Sequence, residues 1–475
     1  MTNLNLILSS DSYKASHWEQ LPKGAEIVTA YIEARGSDDP DFEWVLAAGI
    51  QGYRDKYLMN PITQEDIDEA DEVLTAHGYN FNRWGWEYIL EEYNGYMPVE
   101  ITAIPEGTLV PLRIPLVQIK NTDPNVPWLP AYLETALLRA IWYPSTVATN
   151  SMVIRNNIKA YARKSSDIPV IDGWRAFDPI NFKIHDFGAR GVSSGESAAI
   201  GGTGHEMTGA QGTDTIESLL YARKYYGADM AGYSIPAAEH STITVWENEE
   251  DAFRNNVNKF DAEGKIFAVV SDSYDIDNAI DNIWGGTLFD IVSNLKGTLV
   301  IRPDSGDPVT EPGRLISKLE TIFGWTTNDK GYKVLPSFVR LIQGDGITKD
   351  SIKLIIKDLD RRKISMDNIA FGMGGGMLQY VNRDTLKFAM KTNSIVINGE
   401  TKDVWKMPAT DTSKGSKAGA QSVYKTDDGK WISAKQGRYG RAFVDQLQLV
   451  YSNGESFSKT TLDEIRERAN EESSV

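Results

Sequence analysis

Between residues 181 and 371, six short apolar, β-branched runs recur, at 181–184, 230–235, 266–270, 298–301, 338–342 and 368–371. Runs so short and so apolar suit strands buried on both faces. Stretches of helical periodicity at 214–226, 249–260, 276–284, 313–323 and 349–362 lie between most of them, long enough for right-handed crossovers. A parallel α/β sheet is the consequence. Each run ends in a polar or glycine-rich cluster: His185-Asp186-Phe187-Gly188-Ala189-Arg190-Gly191, Glu239-His240, Ser271-Asp272-Ser273, Arg302-Pro303-Asp304-Ser305-Gly306, Gln343-Gly344-Asp345-Gly346 and Gly372-Met373-Gly374-Gly375-Gly376. One such cluster is ordinary turn chemistry. Six in register point to a site, because barrel enzymes carry theirs at this end of the strands.

The remainder of the chain reads differently. Residues 25–35 form a strand with Arg35 at its lip, 42–58 and 63–77 have helical spacing, and Thr63-Gln64-Glu65-Asp66 suits a helix start. Asp11 could cap a helix beginning at Ser12. Residues 99–119 read as an antiparallel meander and 129–163 as a helix broken at Tyr143-Pro144. A chain of 475 residues exceeds one ordinary core. We therefore expect a β-rich mixed α+β domain from residues 1–150 and 386–475, and an α/β domain from 151–385. Residues 411–421, rich in Ser, Lys, Gly and Ala, read as a mobile loop.

Charge and composition narrow the function. A net charge of −17 argues against a general nucleic-acid or anionic-membrane binder. The chain has no cysteine, and its five histidines make no close ligand pair, which disfavours a structural zinc site. The first ten residues lack a basic leader and no apolar run approaches the roughly 20 residues of a membrane span, so a soluble, cytoplasmic protein is expected.

The clusters themselves suit a phosphorylated, anionic ligand. His240 can act as acid, base or nucleophile near neutrality, and a core histidine is the plain alternative. Gly344-Asp345-Gly346 and Gly374-Gly375-Gly376 let backbone N–H groups approach phosphate oxygens, with the dipoles of the following helices behind them. Arg190, Arg302 and Arg383 offer charge-assisted forks. Asp272, Asp304 and Asp345 could hold Mg²⁺ against a pyrophosphate or contact ribose hydroxyls. Neither the phosphate-binding loop of P-loop enzymes nor the Rossmann glycine fingerprint occurs.

Taken in order, His185-Asp186-Phe187-Gly188, Gly212-Thr213-Asp214, Pro236-Ala237-Ala238-Glu239-His240-Ser241-Thr242, Ser271-Asp272-Ser273-Tyr274-Asp275, Arg302-Pro303-Asp304-Ser305-Gly306 and Gln343-Gly344-Asp345-Gly346 resemble the nicotinamide phosphoribosyltransferases. The likeness runs from Asp11-Ser12-Tyr13-Lys14 to Arg383-Asp384. It implies a type II phosphoribosyltransferase fold, a TIM-like α/β barrel with a β-rich domain, working as a homodimer with shared sites. Nicotinamide would lie between Phe187 and Tyr13 of the partner subunit, with Asp214 on its carboxamide. Arg190 and Arg302 would face phosphates, while Asp304, Gly344, Asp345, Gly375 and Arg383 would hold the ribose and 5′-phosphate. Arg35 would sit on the pyrophosphate side, and His240, beside Glu239 and oriented by Asp272, would be phosphorylated by ATP. The implied reaction turns nicotinamide and 5-phosphoribosyl 1-pyrophosphate into nicotinamide mononucleotide and pyrophosphate, with Mg²⁺ and coupled ATP hydrolysis. Ala189 departs from some members of the family, which carry a larger aromatic there. Alternatives are a nicotinate phosphoribosyltransferase, a barrel aldolase or isomerase for sugar phosphates, and a non-catalytic phosphoribosyl-ligand sensor; none of the six clusters offers the Schiff-base lysine an aldolase would want.

Overall fold

The computed structural model describes residues 5–410, 415–439 and 443–472. Two compact units divide the described residues: 5–149, Ala222–Ala228 and Asn382–Glu472 belong to the first, and Asn150–Tyr221 and Asp229–Val381 to the second.

The first unit is built on strands β1 (Ala25–Ala34), β2 (Trp44–Leu46), β3 (Val99–Ala103), β4 (Leu109–Pro111) and β5 (Pro115–Asn121), joined late in the chain by β14 (Phe388–Ile397), β15 (Glu400–Asp403), β16 (Gln421–Lys425), β17 (Trp431–Lys435), β18 (Gln448–Ser452) and β19 (Glu455–Ser456). Seven of them form an antiparallel sheet in the order β15-β14-β1-β5-β3-β18-β19. β1 is central, and from Val28 to Ala34 it is buried on both faces, which explains its weak alternation. The helix Gln64–Ala76 starts as expected, with Thr63 and Asp66 closing a capping box.

Three local expectations fail in this unit. Residues 42–58 are not one helix: Trp44–Leu46 pairs with Leu109–Pro111, and helix begins only at Ile50 before widening into a π-helix over Arg54–Leu58. Gly49, at φ +101°, makes the break. The helix Glu134–Ser165 runs straight through Pro144. Hydroxyls support the backbone around the proline: Thr146 Oγ1 donates to Trp142 O, Thr149 Oγ1 donates to Ser145 O, and Ser145 Oγ accepts from Ala48 N at 3.1 Å. The Asp11 carboxylate accepts from Thr135 Oγ1 at 2.7 Å and caps nothing. Of the expected mobile loop, residues 411–414 lie outside the described residues; beyond them Ser416 exchanges two hydrogen bonds with Lys406, and Lys417 pairs with Glu33 at 2.7 Å.

The second unit carries β6 (Ile184–Asp186), β7 (Gly212–Thr213), β8 (Ile266–Val270), β9 (Thr298–Arg302), a hairpin of β10 (Thr326–Thr327) and β11 (Lys333–Val334), then β12 (Val339–Gln343) and β13 (Ile369–Met373). Six of these strands make a parallel sheet in the order β7-β6-β13-β12-β9-β8. This is an open, curled sheet and not the closed TIM-like barrel, which takes eight strands. The run at 230–235 forms no continuous strand, and Pro236, lacking an amide, can only accept, its carbonyl taking Ala268 N at 2.9 Å. It contributes single bridges instead, Tyr233 to Gly212 on β7 and Ala237 to Ala268 on β8. The run at 181–184 begins as a 3₁₀ turn, Pro179–Phe182, and becomes strand only at Ile184. The crossovers Ile216–Tyr226, Glu249–Phe260, Glu311–Phe323 and Lys349–Arg362 are α-helical; residues 276–284 continue from Ile276–Asn278 into a π-helix, Ala279–Thr287. No helix among the described residues is long and apolar enough to cross a membrane.

Gly49 provides a test of the first unit. A Cβ there would stand 2.1 Å from the carbonyl oxygen of Ala140, the one that Pro144 leaves without its helical donor. Gly49→Ala should therefore destabilise the protein by more than about 2 kcal/mol, seen as a lower urea midpoint. A midpoint within error of wild type would refute this close approach.

Candidate active site

Strand alternation sets the layers of the site. Ala268, Val300 and Ile342 form a small apolar floor on β8, β9 and β12, with Phe187, Ile235 and Ala370 packed against it. Every second residue of a strand faces the same side, so Arg302 follows Val300, Gly344 follows Ile342 and Gly372 follows Ala370 on that face. A cation and two glycines thus stand one layer above the floor. The glycines make room for the Phe187 ring: a Cβ on Gly372 would lie 1.9 Å from it, and one on Gly344 3.5 Å. Phe187 N donates to Met373 O at 2.9 Å, fixing the backbone that carries the ring.

The neighbours of Phe187 face away from this work. Asp186 is fully buried, its carboxylate accepting from Gly188 N and Thr215 Oγ1, each at 2.7 Å, and burial pushes it up to about 6. His185 Nε2 meets Phe182 O at 2.9 Å, and burial lowers its pKa.

The polar rim centres on His240, the first residue of the short helix His240–Thr244. Its Nδ1 is 3.0 Å from Ser273 Oγ and its Nε2 3.3 Å from Asp304 Oδ2. An ionised carboxylate only accepts, so this network assigns the proton to Nε2 and makes Nδ1 the acceptor of the Ser273 hydroxyl. Asp272, expected to orient the imidazole, stands farther off at 3.9 Å. It acts one step back, its Oδ2 accepting from Asp304 N at 2.8 Å and from Ser305 Oγ. Arg302 Nη2 lies 3.8 Å from Asp304 Oδ2. Around this rim Asp272 Oδ1, Arg302 Nε and Gln343 Oε1 are buried without a protein partner, as in a site shaped for a polar ligand.

Other expected residues are placed as follows. Glu239 precedes His240, but its carboxylate accepts from Ser241 Oγ. Asp214 Oδ1 accepts from Ser234 Oγ, and its backbone N–H donates to Asp186 O at 2.9 Å. Arg190 is exposed on the turn Ala189–Gly191. Asp345 is exposed, and its carbonyl accepts from Gln343 Nε2 at 3.0 Å. Gly374 and Gly375 begin a helix, Gly375–Leu378, that is too short to supply the expected dipole; what they offer is close approach, a Cβ on Gly191 coming within 3.6 Å of the Gly375 backbone. Helix Lys349–Arg362, after Gly344-Asp345-Gly346, does have full length.

Tyr13, Arg35 and Arg383 belong to the first unit. Tyr13 is 55% exposed, edge-on to His17. Arg35 Nε donates to Lys387 O at 3.0 Å, and Arg383 pairs with Asp384 at 3.1 Å. Both arginines also act on Lys391, whose pKa burial lowers first and the charges of Arg35, Lys406 and Arg383 lower further, against the pull of Glu134. Lys391, Lys406 and Ser234 escaped the sequence reading, which placed Ser273 in the cluster Ser271-Asp272-Ser273 without giving it a role; a lone lysine carries no motif. Among the described residues no group of three or more acids and histidines is disposed to hold a metal ion.

Fold and rim together describe an α/β protein in which a rim of acids, a histidine and an arginine stands over an apolar, aromatic floor. The model of the nicotinate phosphoribosyltransferase (NAPRTase) family matches residues 182–455, and that of the nicotinamide phosphoribosyltransferase N-terminal domain residues 5–101. A protein of Xanthomonas campestris named nicotinamide phosphoribosyltransferase is 43% identical over 478 residues, 98% of each chain. One of Acinetobacter baylyi with the same name is 31% identical over 98% of this chain and 97% of its own. The crystal structure of nicotinate-nucleotide pyrophosphorylase from Pyrococcus furiosus shares the fold, with a TM-score of 0.63 over 100% of this chain and 97% of that one at 16% identity. The chain belongs to the NAPRTase family.

The floor yields a paired test. Gly372→Ala drives a methyl into the Phe187 ring and should cost about 1–3 kcal/mol of stability, whereas Gly344→Ala should cost less than about 1 kcal/mol. Equal losses in denaturant midpoint would contradict the placement of the ring.

Proposed function

We propose that this chain transfers the 5-phosphoribosyl group of 5-phosphoribosyl 1-pyrophosphate to nicotinamide, forming nicotinamide mononucleotide and pyrophosphate in the salvage of nicotinamide for NAD. The observation that carries the reading is the 43% identity, over 98% of both chains, to a protein named for that activity. The site agrees with it chemically. A flat pyridine ring suits the face of Phe187, and in a homodimer Tyr13 of the partner subunit would cover the other face. The ring nitrogen attacks the anomeric carbon as the bond to pyrophosphate breaks, leaving a cationic pyridinium and an anionic leaving group. Arg302 and Arg190 answer the phosphate charge; Arg35 answers the pyrophosphate; Asp304, Gly344, Asp345, Gly374, Gly375 and Arg383 take the ribose and 5′-phosphate. Mg²⁺ arriving with the pyrophosphate would offset the charge that builds on the leaving group.

ATP coupling rests on His240. Rotation of the Ser273 hydroxyl frees the Nδ1 lone pair, which attacks the γ-phosphorus, forming an N–P bond as the P–O bond to ADP breaks. The proton stays on Nε2, hydrogen-bonded to Asp304, whose carboxylate stabilises the imidazolium character that develops. His240→Ala should abolish coupled ATP hydrolysis while leaving product formation without ATP, because ring and sugar contacts survive. Normal ATP hydrolysis by the variant would refute the phosphohistidine.

Nicotinate as the base is the second reading, favoured by the description of the matched family. Asp214 opposes it. With Oδ1 occupied by Ser234, Oδ2 remains to accept a carboxamide N–H, and a carboxylate ligand would bring a like charge instead. Asp214→Asn should lower the preference for nicotinamide over nicotinate in kcat/KM by at least about tenfold, or roughly 1.4 kcal/mol. An unchanged ratio removes Asp214 from base recognition.

A further inference from the structure

Tyr380 is 76% exposed, yet its ring is not loose. Its backbone N–H donates to Gly375 O at 2.9 Å, and that of Gln379 donates to the same oxygen at 2.8 Å, so the chain turns back on this glycine as soon as Gly375–Leu378 ends. The side chain follows the backbone over the turn: a Cβ on Gly375 would stand 3.2 Å from Tyr380 Cε1, 3.5 Å from Cζ and 3.7 Å from the hydroxyl oxygen. The hydroxyl end of the ring therefore rests in space that Gly375 leaves open by having no side chain. Gly191 meets the same residue, since a Cβ on it would lie 3.6 Å from both Cα and N of Gly375. Gly191 closes the turn that carries the exposed Arg190. Two segments that bear solvent-facing donors, a guanidinium and a phenol, are thus seated on one glycine. A surface tyrosine is commonplace, but one with its oxygen held against a glycine turn is placed to meet whatever that turn binds.

We propose that Tyr380 is a further substrate-binding residue, its O–H donating to the 5′-phosphate of the phosphoribosyl group at the Gly374-Gly375 turn, alongside Arg190. The assignment rests on the reading of this site as one for a phosphoribosyl donor, which supplies the identity of the ligand. A phenol O–H on a phosphate oxygen makes a charge-assisted hydrogen bond without adding a charge of its own. Arg190 answers the charge of the phosphate, and Tyr380 fixes its direction. The 5′-phosphate stands on the far side of the ribose from the anomeric carbon, so this contact is made equally before and during transfer. Its loss weakens binding of the sugar phosphate and leaves the bond-breaking step alone.

The test compares wild type with Tyr380→Phe, which keeps the ring on Gly375 and removes only the hydroxyl. Ribose 5-phosphate, titrated calorimetrically into unliganded protein, should bind the variant at least about fivefold more weakly. In wild type carrying isotope-labelled tyrosine, the ring signal that is missing from Tyr380→Phe should shift as ribose 5-phosphate is added. Inorganic phosphate, used as a competitor, should show the same loss of affinity in the variant; a loss confined to ribose 5-phosphate would place the hydroxyl on the sugar and overturn the assignment. In turnover, KM for 5-phosphoribosyl 1-pyrophosphate should rise at least about fivefold while kcat and KM for nicotinamide stay within about twofold. Binding of ribose 5-phosphate within about twofold of wild type, or a Tyr380 signal unmoved at saturation, would overturn the proposal. Two results separate it from the proposed reaction. If the signal moves and the variant binds weakly but wild type forms no nicotinamide mononucleotide, the Tyr380 contact stands and the transfer to nicotinamide falls. If both proteins form the nucleotide with the same KM for the donor, the transfer stands and the role of Tyr380 falls.

Discussion

A carboxylate that is almost wholly withdrawn from water must be met by donors, and Asp272, 4% exposed, organises the site by that demand. One of its oxygens is met by the backbone of Asp304 and the hydroxyl of Ser305, which ties the end of β8 to the loop that follows β9. That tie sets the Asp304 carboxylate beside His240 and within reach of Arg302. Removal of Asp272 would leave two donors unmet and two strand ends unjoined. The other oxygen lies 3.9 Å from His240 Nε2.

Beneath this rim the floor is plain hydrophobic packing, and its chemistry lies in what is missing from the layer above. Two glycines where strands would ordinarily carry side chains let the Phe187 ring lie directly against backbone. An aromatic face bordered by an arginine and by acids matches a planar, electron-poor base joined to a phosphorylated sugar better than it matches either partner alone. Membership of the NAPRTase family and the 43% identical relative point the same way from independent information.

The sequence carried the central strands well because their signal is local: β8, β12 and β13 differ from the apolar runs by at most about two residues, runs of branched side chains being buried wherever they fall. It failed where tertiary partners decide. Trp44–Leu46 looks helical until Leu109–Pro111 is there to pair with it, and Pro144 looks like a break until the hydroxyls of Ser145, Thr146 and Thr149 are seen supporting the backbone. The run at 230–235 was apolar enough for a strand, but it makes only single bridges to β7 and β8, and the regular sheet stops at six strands. At the site, motif residues such as His240, Asp304 and Phe187 could be named in advance. The role of Ser273 could not, since it lies in the histidine nitrogen its hydroxyl faces.

The account stands or falls on the identity of the product. Protein given equal nicotinamide and nicotinate, 5-phosphoribosyl 1-pyrophosphate and Mg²⁺ should yield nicotinamide mononucleotide in at least about tenfold excess over the nicotinate nucleotide, by mass-resolved chromatography. A predominance of the nicotinate nucleotide, or no nucleotide at all from properly folded protein, would contradict it.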